Sequence, residues 1–180
     1  MRIESLSIPG LFLVHPDRHQ DARGFFARTY CRETFLRHGL ADCSLQCSVS
    51  HNVSRGTLRG MHFQSSPHTE AKLVRCSRGR AFDVAVDVRP DSTTFGRWFG
   101  IEISVENGVA IYIPRGFAHG FVALEDETDL FYQMAEPFVP AAAAGFRWDD
   151  PDVGIEWPTS PAVISERDAS LPLLRNLQHV

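Results

Sequence analysis

Gly108-Val109-Ala110-Ile111-Tyr112-Ile113-Pro114-Arg115-Gly116-Phe117-Ala118-His119 reads, from its side chains alone, as a strand, a turn and the start of a second strand. Val, Ile and Tyr suit a pleated, packed surface, so residues 110–113 are a strand candidate. Pro114 presets one backbone angle and Gly116 frees another, which suits a tight turn between them. The returning strand then carries His119 inward.

Outward from this stretch, short β-like segments recur at residues 25–30, 45–49, 58–63, 72–76, 81–88, 98–104, 120–124 and 130–134. Arg78-Gly79, Arg89-Pro90-Asp91 and Asn107-Gly108 separate them, and Asn107-Gly108 between apolar runs predicts a hairpin. Helical patterns are few: residues 32–38 and a stretch after Arg167. Ala141 to Ala144 follows Pro140 and reads as a turn or a brief helix start. Many strands at this spacing predict an all-β sandwich, jelly roll or barrel. At 180 residues, with no repeat and no long linker, the whole of residues 1–180 is expected to form one domain.

Composition narrows the function. A net charge of −4 offers no basic excess for a nucleic-acid backbone. No apolar run is long enough for a membrane helix. The cysteines Cys31, Cys43, Cys47 and Cys76 form no C-x-x-C pair and the N-terminal residues lack a secretory pattern, so a reducing cytoplasm is the expected compartment. Lys72 is the only lysine among 18 basic residues, a compact ammonium where arginine is used everywhere else.

The spacing G-x5-P-x-G-x2-H ending at His119 resembles the second sequence motif of the cupin superfamily, whose fold is a jelly-roll or double-stranded β-helix barrel. The first cupin motif is half present: five residues separate Gly56 from His62, but Gln64 replaces its partner histidine. With that ligand gone and Glu70 off the usual spacing, neither a metal nor any other cofactor is expected, and the pocket is read as one for metal-free acid–base chemistry.

Further stretches make the resemblance specific. Asp21-Ala22-Arg23-Gly24-Phe25-Phe26, Leu58-Arg59-Gly60-Met61-His62-Phe63-Gln64, Lys72-Leu73-Val74, Asp83-Val84-Ala85-Val86-Asp87, Ala118-His119-Gly120-Phe121 and Ser165-Glu166-Arg167-Asp168 are similar, in order, to the dTDP-4-dehydrorhamnose 3,5-epimerase family. The resemblance implies inversion at C3 and C5 of a 4-keto-6-deoxyhexose linked to a nucleoside diphosphate, by a cofactor-free homodimer in deoxysugar biosynthesis. By motif match, His62 is the base, Asp168 orients it, Tyr132 is the acid on the opposite face, and Lys72 stands near the ketone oxygen. Arg59 matches a diphosphate contact, Arg23 a nucleotide contact supplied across the dimer, and His119 a pocket residue; Gln46, Phe26 and Phe138 fall in substrate-binding stretches.

Plainer roles compete for several of these residues. Asp168 alone would cap a helix after Ser165, and Asp83 either supports His62 or His119 or belongs, with Asp87, to the polar face of an alternating strand. His15, His19, His38, His51, His68 and His179 carry no motif and read as surface residues. Three departures touch specificity: Arg28 replaces a glutamate, Ser48 an asparagine, and Pro137-Phe138 a tyrosine pair. They leave open a C3- or C5-only epimerase on another nucleotide sugar, and beside it a non-catalytic sugar-nucleotide-binding cupin.

Overall fold

A computed structural model describes residues 1–177 of the chain, which form two antiparallel sheets face to face and a separate hairpin. The first sheet runs β1 (Arg2–Ser5), β2 (Phe12–His15), β10 (Ala110–Ile113), β7 (Lys72–Arg78), β12 (Thr128–Met134), β5 (Gln46–Asn52). The second runs β13 (Ala143–Gly145), β6 (Leu58–Gln64), β11 (Phe117–Ala123), β8 (Arg80–Asp87), β9 (Trp98–Ser104). The hairpin is β3 (Arg18–Asp21) with β4 (Gly24–Ala27), and the α-helices are α1 (Arg32–Arg37) and α2 (Glu166–Ala169). The expected all-β, cupin-like jelly-roll barrel with a few short helices is the observed fold.

Three apolar clusters follow from the alternation of side chains along strands. Between the sheets lie Leu13, Val74, Ala85, Ile111, Phe121 and Leu130. Outside the second sheet, Val84, Val86 and Met61 pack against Phe146, Val153 and Leu174 of the C-terminal segment. Outside the first, Phe35 of α1 covers Leu73, Ala110 and Tyr112. Each buried large side chain contributes roughly 1.5–3 kcal/mol. Both sheets are therefore covered on both faces near their middles. This removes the polar-face alternative for Asp83 and Asp87 on β8: Phe82, Val84 and Val86 point outward into apolar packing, while Asp83 and Asp87 point inward with Ala81 and Ala85.

Asp87 is satisfied there. It accepts from Arg89 Nε and Nη2 (2.8 and 2.6 Å), Ser92 Oγ (2.6 Å) and Thr94 Oγ1 (2.6 Å), which tie down the loop after β8. Burial raises its carboxyl, but these hydrogen bonds outweigh it and hold the group at about 2.

Several local expectations change. Asn107-Gly108 is not a hairpin: β9 pairs with β8, whereas β10 pairs with β2 and β7 in the other sheet. Asn107 Oδ1 accepts from the Ser104 and Val109 N–H groups, so the same turn chemistry steers the chain between sheets. The Pro114-Arg115-Gly116 turn does likewise, and β11 pairs with β6 and β8 rather than returning on β10. β1, β2, β3 and β13 were not expected; they are short, and Arg18-His19-Gln20-Asp21 has no apolar alternation to betray it. The Ala141 to Ala144 region splits into a 3-10 turn (Pro140–Ala142) and β13. His15 is half-buried beside Glu4 rather than on the surface, and His179 lies outside the described residues.

Candidate active site

Strand periodicity gathers the site. On β6 the inward positions include His62 and Gln64, since Met61 and Phe63 pack outward. On β7 Lys72 follows the inward parity of Val74 and Cys76, and on β12 Tyr132 follows that of Leu130. β6 and β11 meet at Gly60 and Gly120, where a Cβ on Gly60 would lie 2.5 Å from the Gly120 Cα. No other residue fits that crossing, and it sets His62 and His119 opposite each other in register.

His62 Nε2 lies 2.8 Å from Asp168 Oδ1. The other Asp168 oxygen accepts from the Gly60 N–H, and the Asp168 N–H donates to Ser165 Oγ, so Asp168 sits in a capped helix start and also holds the histidine. Burial raises the Asp168 carboxyl, but the His62 contact and the backbone and Ser165 bonds outweigh it, and the net shift is downward. An ionised carboxylate only accepts, so Nε2 carries the proton and Nδ1 keeps its lone pair.

His119 Nε2 makes a second such pair, 2.8 Å from Asp83 Oδ2. Its ring meets Tyr132 edge-on with centroids 5.6 Å apart. Burial first, then the Asp83 charge, push the Tyr132 hydroxyl well above the ordinary tyrosine range, and the Arg59 cation only partly offsets them.

A cleft of about 330 Å³ opens beside Tyr132 and is also lined by Lys72, Gln46, Ser48, Ser50 and Phe138. Phe138 is exposed at its edge, and its N–H donates to Gln46 Oε1 (3.1 Å). Arg59 is held by Asn52 Oδ1 (2.9 Å) and the His51 carbonyl (3.2 Å).

Taken together these groups provide a base with a free lone pair, a phenol held protonated and two cations, with the phenol and the Lys72 ammonium lining the cleft. That is the equipment for moving protons at a carbon next to a carbonyl. A family model described as dTDP-4-dehydrorhamnose 3,5-epimerase matches residues 5–176. The chain belongs to this family. An enzyme of that name from Sinorhizobium fredii is 44% identical over 98% of this chain and 91% of its own. The Legionella pneumophila dTDP-6-deoxy-D-glucose-3,5-epimerase, solved in complex with dTDP-4-keto-L-rhamnose, superposes with a TM-score of 0.92 at 36% identity, covering 98% of this chain and 94% of its own. A 3′-monoepimerase from Streptomyces bikiniensis, in complex with dTDP-quinovose, superposes with a TM-score of 0.89 at 35% identity, covering 96% and 87%.

Within one chain the fold thus brings together His62, Asp168, Tyr132, Lys72, Arg59, His119, Gln46 and Phe138. It does not bring Arg23 and Phe26 to them. Arg23 lies at the turn of the β3–β4 hairpin, its side chain 90% exposed and paired with Asp21. Phe26 lines a different surface cleft with Arg28 and His19. Sequence reading missed Asn52, which orients Arg59, and left Asp83 undecided between two histidines. Among the described residues no three His, Cys, Asp or Glu side chains are gathered as a metal site, and no helix is long and apolar enough to cross a membrane.

Proposed function

We propose that this protein inverts C3 and C5 of a nucleoside-diphosphate 4-keto-6-deoxyhexose, converting a dTDP-4-dehydro-6-deoxyglucose to a dTDP-4-dehydrorhamnose. The observation that carries this reading is the His62–Asp168 pair, whose cross-strand neighbour His119 meets the cleft-lining Tyr132 edge-on. His62 Nδ1 takes the proton from the carbon next to the ketone. Asp168 stabilises the imidazolium that results, as the carboxylate of a hydrolase triad does. Lys72 faces the ketone oxygen and offsets the charge of the enolate. Tyr132 then gives its proton to the opposite face of the same carbon. Each inversion moves one proton from carbon to His62 and one from Tyr132 to carbon, and exchange with solvent restores both groups.

Arg59 suits the diphosphate, with a planar fork already oriented by Asn52. His119 lines the sugar pocket, while Gln46 and Phe138 flank the cleft where the nucleotide base stacks. Arg23 and Phe26, far from being wasted on an exposed hairpin, complete the nucleotide site of a partner subunit in a homodimer. One domain per subunit does this in the cytoplasm, where the four free cysteines remain reduced.

Proton NMR of the protein with dTDP-4-keto-6-deoxyglucose in deuterium oxide tests the reading. Deuterium is expected at both C3 and C5. Label at one carbon would make it a mono-epimerase. No label with any nucleotide sugar would leave only a binding protein.

A further inference from the structure

Gln64 stands where the first cupin motif places its second histidine, and its side chain is fully engaged elsewhere. Its Nε2 donates to Glu70 Oε2 (2.8 Å), to the His68 carbonyl (3.1 Å) and to the Pro137 carbonyl (3.2 Å), while its Oε1 accepts from the Val139 N–H (2.6 Å). The other Glu70 oxygen lies 2.8 Å from Lys72 Nζ, and only 4% of the Glu70 side chain and 9% of the Lys72 side chain are exposed. A continuous chain of contacts thus joins the cavity's ammonium to the segment that presents Phe138.

We propose that Glu70 and Gln64 are positioning residues that lock the Lys72 ammonium and the Phe138 segment into one unit, so that the cation and the base-stacking edge keep a fixed separation. This rests on the epimerase reading above. Two facts favour it over a plain buried ion pair. Both groups that meet the Glu70 carboxylate are donors, so an acceptor with two oxygens matches them. And a lysine stem with its many rotamers does not hold an ammonium in one place unaided, whereas transition-state stabilisation needs it held. In the cleft that Lys72 lines, β5 contributes Gln46, Ser48, Val49 and Ser50 and β12 contributes Tyr132 and Met134, and the cross-strand neighbour on β10 is Ile113; Glu70 is the carboxylate paired with the ammonium.

The single lysine makes the test direct. In protein labelled with 15N-lysine, the ammonium gives one signal, visible only while it is held and slow to exchange. Glu70→Ala is expected to erase that signal while the amide spectrum stays folded, and to lower kcat by about tenfold with little change in KM. Glu70→Gln keeps one oxygen for the ammonium but turns an amide NH2 toward Gln64 Nε2, so it is expected to restore the signal and most of kcat while KM rises. Gln64→Met leaves the Glu70–Lys72 pair but frees the Phe138 segment, so its loss of about tenfold is expected in KM rather than kcat. A Glu70→Ala protein with the native lysine signal and kcat, or a Glu70→Gln protein as slow as Glu70→Ala, would overturn the proposal. Should Glu70→Ala not fold, a native KM in Gln64→Met overturns it instead. The lysine signal needs no substrate, so it decides the relay separately from whether the protein epimerises anything.

Discussion

The barrel contains the same chemical pair twice, with opposite exposure. His62 is 38% exposed and its partner Asp168 only 6%, whereas His119 and Asp83 are 5% and 0% exposed. Both pairs have an Nε2–carboxylate separation of 2.8 Å. The difference lies in what surrounds the carboxylate. Asp168 also accepts from a backbone N–H, and its shift is downward. Asp83 has one oxygen on His119 and another, Oδ1, buried without a protein partner. A fully satisfied carboxylate steadies a reactive imidazole, and an under-satisfied one projects its charge onto what lies nearby. Tyr132 is what lies nearby. In the proposed mechanism the open pair is the base, and the sealed pair adds its charge to the burial that raises the acid.

This contrast can be broken by mutation. The largest effect is expected for His62→Ala, a loss of about a thousandfold or more in kcat together with deuterium exchange at both carbons. Native turnover in that variant would remove the base from the mechanism. Tyr132→Phe should lose about a hundredfold or more in inversion. It should still exchange the abstracted proton with solvent, because His62 is intact; loss of exchange as well would mean that the two groups do not act in sequence.

Asp83→Asn sharpens the comparison more gently. The Asp83 charge helps raise Tyr132, so removing it lowers the tyrosine toward its ordinary value. The protonated phenol is the active form and is lost as pH rises through its pKa. The alkaline limb of kcat/KM should therefore move to lower pH, while Asp168→Asn should reduce kcat without moving that limb. Identical alkaline limbs in Asp83→Asn and the native enzyme would sever Asp83 from Tyr132.

The smallest effect on turnover is expected at Asp87, a neighbour of Asp83 on the same strand face whose hydrogen bonds are all made. Its folded value of about 2 lies below the ordinary aspartate value of 3.8. The stability this confers is present above pH ~4 and fades as pH falls toward 2, and amounts to about 2 kcal/mol. Asp87→Asn should lower the unfolding free energy by a similar amount at neutral pH, flatten its acid dependence and leave kcat within twofold; denaturant melts at several pH values check this.

Much of this was legible in the linear chain. The G-x5-P-x-G-x2-H spacing around His119 and the strand candidates at 98–104 and 110–113 led to an all-β barrel, and their bounds match β9 and β10. Motif matches named His62 and Asp168, whose 2.8 Å contact spans 106 residues of sequence. The hairpin reading of Asn107-Gly108 failed because a turn sequence encodes local backbone angles, not which sheet the next strand joins. Of the two alternatives for Asp83, support of a histidine holds and the polar face of β8 does not, because alternation alone does not say which side is buried, and here both are.

Residue chemistry by itself thus determined the fold class and the types of groups available for proton transfer, because side-chain alternation and turn preferences are local and survive in any context. Tertiary structure alone decided which histidine Asp83 serves, that Glu70 and Gln64 bind Lys72 to the Phe138 segment, and that Arg23 stands away from the other site residues in its own chain. Those outcomes depend on distances between strands far apart in sequence, and on how much water each charge has lost, neither of which is a property of any short stretch of chain.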